Sequence, residues 1–172
     1  MVSQPLMPFP AQLERALKAK GYLVTVVNAG VTGDTAAMGL ARLSRSIFDN
    51  TDALILELGA NDMLRAYEPS STHKSLAAIL ENLKAHHVDV LLCGVRTQPD
   101  RGNAYKRAFA QMFADVANEY NSLFYPAFDE AFVDDARLKL SDDLHPTALG
   151  IDAVVTRILP KVETLIDRAT RH

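Results

Sequence analysis

Asp142 stands three residues before His145 in the run Ser141-Asp142-Asp143-Leu144-His145-Pro146, close to the C-terminus. In a turn, an acid at that spacing can fold back onto the imidazole, fix its tautomer and leave the other ring nitrogen free to take a proton. That is the base half of a catalytic triad. Two glycine-bearing loops hold the other chemically useful residues: Asn28-Ala29-Gly30-Val31-Thr32-Gly33-Asp34-Thr35 and Gly59-Ala60-Asn61-Asp62. Glycines allow tight turns and expose backbone N–H groups where a helix begins. The Gly33 N–H and the Asn61 side-chain NH₂ together can hold a developing oxyanion, each donor typically contributing a few kcal/mol to a lower barrier.

Each reading has a plainer competitor. Asp142 or Asp143 can cap the helix that Pro146 opens, and Gly30, Gly33 and Asn61 can be ordinary turn residues. Asp34 and Asp62 read as holding these loops rather than as catalytic groups. His86-His87 ends a helix, where an imidazolium suits the dipole, so a metal site with Asp89 is not expected. His73 and His172 read as solvated surface, and Met38, Met63 and Leu64 as either acyl-pocket lining or packing.

These residues need a scaffold, and the chain supplies short apolar runs alternating with amphipathic ones. Strands are expected at Tyr22–Val27, Ala53–Leu58, Val88–Cys93 and Leu123–Tyr125, which are rich in aliphatic, β-branched and aromatic residues. Near-continuous apolarity suits strands covered on both faces. Helical periodicity marks about Pro10–Lys20, Ala36–Phe48, Ser71–His86, Ala104–Tyr120 and Pro146–Arg168. The alternation predicts a doubly wound α/β fold with a parallel sheet, whose ligands bind beyond the carboxyl ends of the strands. Both glycine loops follow strands and fall on that edge.

A length of 172 residues, 48% hydrophobic and 23% charged, fits one globular domain over 1–172. The formal charge of −3 comes with no basic run, which disfavours nucleic acid as a partner. Cys93 is the single cysteine and lies in an apolar run, so no intrachain disulfide forms and a buried, inert thiol is expected. No apolar run reaches membrane-spanning length, and the first residues carry neither a basic start nor a hydrophobic signal region. The chain reads as soluble; its location is open, with periplasmic or secreted placement requiring a signal peptide upstream of Met1.

The chain resembles the SGNH hydrolase superfamily, also called GDSL esterases, and especially its bacterial arylesterase and acyl thioesterase/lysophospholipase branch. The resemblance runs through Phe9-Pro10-Ala11-Gln12-Leu13, Val26-Val27-Asn28-Ala29-Gly30, Gly33-Asp34-Thr35, Gly39-Leu40-Ala41-Arg42-Leu43, Glu57-Leu58-Gly59-Ala60-Asn61-Asp62 and Asp142 to Pro146. It implies a flavodoxin-like three-layer α/β/α sandwich, Gly33 and Asn61 as oxyanion donors, and Asp142 with His145 as the base pair. It also implies a small-molecule ester or thioester substrate and no cofactor or metal. An oligomer is compatible with it.

The Gly-Asp-Ser-Leu block that carries the family's nucleophile is missing. The resemblance places it shortly before Phe9-Pro10, which puts the serine upstream of Met1; Ser3 lacks the preceding Gly-Asp, and the role does not transfer to it. The matching first strand is central in the order 2-1-3-4-5, so its loss would leave neighbouring backbone groups unpaired in the core. The expectation is therefore an N-terminally incomplete serine ester hydrolase. The competing expectation is an inactive short form acting as a binding or partner-completed module. A flavodoxin-like nucleotide binder is a weaker third, because its phosphate loop would follow the same missing strand.

Overall fold

The structure is a computed structural model that describes residues 8–96 and 101–171. Ser3 lies outside the described residues, as does His172. In chain order the elements are α1 (Phe9–Ala19), α2 (Ala36–Ala41), α3 (Leu43–Ser46), β1 (Ala53–Glu57), α4 (Ala60–Leu64), α5 (Pro69–Ala85), β2 (Asp89–Cys93), α6 (Asn103–Glu119), β3 (Leu123–Tyr125) and α7 (Ala148–Ala169), with 3₁₀ turns at Phe128–Ala131 and Ala136–Leu138. Two compact units divide them. One takes the residues up to Asn28 with Asp129–Pro160, and the other takes Ala29–Phe128 with the residues from Lys161.

The fold is α/β with a small parallel sheet in the order β1-β2-β3. β1 pairs with β2 from Ala53↔Asp89 to Glu57↔Cys93, and β2 with β3 from Leu91↔Leu123 to Cys93↔Tyr125. Two helical stripes cover the strands of this unit. Leu76, Ile79, Leu80 and Leu83 recur at i, i+3, i+4 and i+7 on α5, and Phe109, Met112, Phe113 and Val116 repeat that spacing on α6. They share one core with Leu56, Val90 and Leu92. Each such side chain contributes about 1.5–3 kcal/mol by leaving water, and that burial holds β1 rigid beneath the loop that follows it. In the other unit, Leu13 and Leu17, one turn apart on α1, are fully buried.

The strand expected at Tyr22–Val27 is not formed. Tyr22 N–H donates to the Leu17 carbonyl (3.1 Å) and Val26 N–H to the Glu14 carboxylate (2.7 Å), and no ladder runs along the segment among the described residues. A strand exists only through a neighbour, and an apolar, β-branched run does not by itself supply one. The helix expected over Ala36–Phe48 breaks at Arg42, whose φ of −110° and ψ of 7° leave the helical well. The last helix opens at Ala148 rather than Pro146. Pro146 forms an antiparallel bridge with Lys139, and Thr147 Oγ1 takes the Gly150 N–H at 3.2 Å as the cap. Among the described residues no helix is long and apolar enough to cross a membrane.

Candidate active site

The Asp142–His145 pair is built by a tight loop. Leu140 N–H donates to the His145 carbonyl (2.8 Å) and Thr147 N–H to the Leu138 carbonyl (2.8 Å), so two short arms run antiparallel and Ser141–Leu144 close them. Asp143 takes the left-handed conformation at φ 59°, which an aspartate tolerates better than most residues, and Lys139 Nζ pairs with its Oδ1 at 3.2 Å. Inside this turn Asp142 divides its two oxygens. Oδ1 accepts the N–H groups of Leu144 and His145, both at 3.0 Å, while Oδ2 lies 2.7 Å from His145 Nδ1. Neither Asp142 nor Asp143 caps α7.

The His145 N–H, then the His145 ring and the Leu144 N–H, hold the Asp142 carboxyl down to about 2. The carboxylate is therefore ionised across the neutral range and accepts the Nδ1 proton, which turns the Nε2 lone pair outward. No serine hydroxyl among the described residues bonds to His145.

The second pair is assembled by the start of α4. Gly59 stands at φ 112°, and a Cβ there would come within 2.7 Å of the Phe113 ring, so only glycine makes this turn. The turn expected at Gly59–Asp62 thus continues as a short helix, and its first residues reach back to the Gly33 loop. Asn61 Nδ2 donates to the Asp34 carbonyl (2.9 Å), the Asp62 carboxylate accepts the Ala36 N–H (2.9 Å) and the Thr72 hydroxyl (3.1 Å), and Arg65 Nη2 donates to the Gly33 carbonyl (3.2 Å). Arg42 adds a further tie, with Nε on Asp34 Oδ2 (2.5 Å) and Nη1 on the Ala29 carbonyl (2.8 Å). Gly33 and Asn61 are thereby brought to one edge. Asn61 uses one N–H and keeps the other, and the Gly33 N–H, at φ 87°, has no partner among the described residues.

The remaining candidates separate cleanly. Asp34 and Asp62, 8% and 2% exposed, hold the two loops. Met63 is buried in the core and Met38 is half exposed, so the two methionines do not share one surface. Burial pushes the Cys93 thiol well above its ordinary pKa, leaving it protonated and unreactive. His86 Nδ1 contacts the Asn82 carbonyl at 2.8 Å, and His73 Nε2 lies 3.5 Å from Glu119. Among the described residues no group of three His, Cys, Asp or Glu side chains is placed to hold a metal. Reading the sequence did not single out Arg65 or Thr147; Arg65, one helical turn beyond Asn61, was the more discoverable.

The GDSL-like Lipase/Acylhydrolase family matches residues 3–153. Esterase TesA of Pseudomonas aeruginosa is 32% identical over 157 residues, 91% of this chain and 78% of that protein. An arylesterase of Vibrio mimicus is 32% identical over 139 residues, 80% of this chain and 70% of its own length. The crystal structure of TesA superposes with a TM-score of 0.89 at 29% identity, covering 96% of this chain and 92% of the other. AlinE4, an SGNH-hydrolase family esterase, superposes at 0.77 with 36% identity over 95% and 88% of the two chains.

Proposed function

Because the chain belongs to the GDSL-like lipase/acylhydrolase family, we propose that it hydrolyses carboxylic ester or thioester bonds of small molecules through Asp142, His145, Gly33 and Asn61. The relatives are named esterase, arylesterase and thioesterase/lysophospholipase. The observation that carries the roles is the 2.7 Å contact between Asp142 Oδ2 and His145 Nδ1, which leaves Nε2 as a proton acceptor.

In this reading a serine hydroxyl N-terminal to Phe9-Pro10 attacks the carbonyl carbon, and its proton passes to His145 Nε2. Negative charge moves onto the carbonyl oxygen, where the Gly33 N–H and the remaining Asn61 N–H take it. Collapse breaks the bond to the alcohol or thiol, which leaves with the proton from His145. Water then repeats the sequence on the acyl-serine, releasing the acid and restoring the hydroxyl. Asp142 stays ionised throughout and stabilises the transient imidazolium.

His145→Ala tests the assignment against a short-chain p-nitrophenyl ester and an acyl thioester. A fall in kcat on the order of 10⁴-fold or more is expected, with an unchanged circular dichroism spectrum. Labelling with a fluorophosphonate, followed by peptide mass spectrometry, identifies the nucleophile. Full activity in the variant, or a label on a residue other than a serine, overturns the proposal.

A further inference from the structure

α4 is five residues long, little more than one turn, and carries Asn61 as its second residue. A helix that short does not stand alone in water, because its few internal bonds cannot offset the order they demand. Its ends must be held from outside, and α6 reaches both. Tyr105, Phe109 and Phe113 recur every fourth residue and form one row on α6, with ring centroids 5.3 and 6.0 Å apart. Phe113 lies against the start of α4, where a Cβ on Gly59 would meet its ring. At the other end of the row the Tyr105 hydroxyl donates to the Tyr67 carbonyl at 2.9 Å. Arg101, just ahead of α6, donates from Nη2 to the Leu64 carbonyl at 2.6 Å. Leu64 is the last residue of α4, so its carbonyl has no partner within the helix.

The turn held between these two bonds is strained. The Ala66 N–H returns to the Met63 carbonyl (3.0 Å) and the Tyr67 N–H to the Asp62 carbonyl (2.9 Å), the closing pattern in which the residue after the cap turns left-handed. Glycine ordinarily fills that place; here it is Ala66 at φ 55°, whose Cβ opposes the conformation. Arg101 and Tyr105 grip the chain on either side of Ala66 and keep the turn closed. The Arg65 N–H, one residue earlier, donates to the Asn61 carbonyl at 3.1 Å, so an opening at Ala66 passes directly to Asn61. Asn61 spends one side-chain N–H on the Asp34 carbonyl, and the direction of the other is set by where α4 sits. We propose that Arg101 and Tyr105 are positioning residues for Asn61, acting through the C-terminal turn of α4; the inference rests on the reading of Asn61 as an oxyanion donor.

Tyr105→Phe removes one hydroxyl and keeps the ring row. Steady-state kinetics on the full chain with a p-nitrophenyl ester is expected to show kcat lowered about three- to tenfold at unchanged KM, and Arg101→Met to do the same. In an Asn61→Ala background the further loss from Tyr105→Phe is expected to shrink below about twofold, because the group it positions is gone. The Asn61 side-chain amide resonances of the unliganded protein are expected to shift in Tyr105→Phe. A kcat within about twofold of the parent, a raised KM, an equal loss in the Asn61→Ala background or an unmoved Asn61 amide overturns the positioning role. His145→Ala reports separately on the reading beneath it: a series in which His145→Ala is inactive and Tyr105→Phe fully active overturns the positioning alone.

Discussion

Replacing Asp142→Asn separates the tautomer of His145 from the turn that carries it. Asp142 accepts three hydrogen bonds, two from backbone N–H groups at 3.0 Å and one from Nδ1 at 2.7 Å. An asparagine keeps an oxygen for the two backbone donors, so the loop keeps its shape, but it presents an NH₂ group to the ring. Nδ1 must then accept, and the ring proton moves to Nε2, the atom that in the proposed mechanism receives the proton of the nucleophile. The equivalent change in a buried serine-hydrolase triad lowers kcat about 10⁴-fold. Here the side chains of His145 and Asp142 are 62% and 46% exposed, so water competes for the ring and part of the population keeps the working tautomer. The expected loss is accordingly about 10²–10³-fold in kcat, with KM unchanged and only a small fall in melting temperature from the lost charge-assisted bonds. Steady-state kinetics on a p-nitrophenyl ester measures it, and imidazole ¹⁵N shifts report the proton on Nε2. A loss of less than about threefold, with the ring proton shown to have moved, would refute the role of the tautomer.

The remaining expectations concern the same two pairs. Asp142 sits at about 2, held there first by the His145 N–H. An unperturbed aspartate titrates near about 3.9, so the bonded form adds stability above that value and loses it as pH falls through about 2. The amide resonances of Leu144 and His145 should therefore titrate with a midpoint near 2 instead of near 4. Asp62→Ala leaves the Ala36 N–H and the Thr72 hydroxyl without an acceptor at a position only 2% exposed. At about 1–3 kcal/mol for each of the two orphaned groups, urea unfolding should show a loss of about 2–6 kcal/mol. Arg65→Met removes the donor on the Gly33 carbonyl, and kcat should fall about tenfold at constant KM, less than the 10²–10³ of losing an oxyanion donor outright. An equal loss in kcat with a raised KM would show that Arg65 holds substrate and not the loop.

What could be read from the sequence follows the range of each interaction. The Asp142–His145 bond spans three residues and is a property of one turn, so spacing alone exposed it. The helices were legible because a stripe such as Leu76, Ile79, Leu80 and Leu83 lies within one segment. The pairing of Gly33 with Asn61 is legible because loops gather at the carboxyl ends of parallel strands, although the bond that holds Asn61 beside the Gly33 loop, to the Asp34 carbonyl, joins separate elements. Tyr22–Val27 failed as a strand for the complementary reason. Strand identity belongs to a pair of segments, and the residues of one cannot report whether the other is in place.

Local competition explains the rest. Pro146 and Thr147 are both credible helix openers, but the Lys139–Pro146 bridge draws the proline into the loop and leaves the cap to Thr147. Three candidate aspartates present the same choice in a sharper form, since composition makes Asp34, Asp62 and Asp142 equivalent. Their acceptor bonds distinguish them. Asp34 takes the Arg42 guanidinium, and Asp62 takes a backbone N–H and a threonine hydroxyl, so the partners of these carboxylates gain no proton-accepting atom from the contact. Asp142 alone gives one oxygen to the backbone and the other to an imidazole, and its first oxygen fixes the turn that aims the second. That division of labour turns a loop-stabilising aspartate into one that can orient a base, and it explains why the asparagine variant should lose catalysis while keeping the loop.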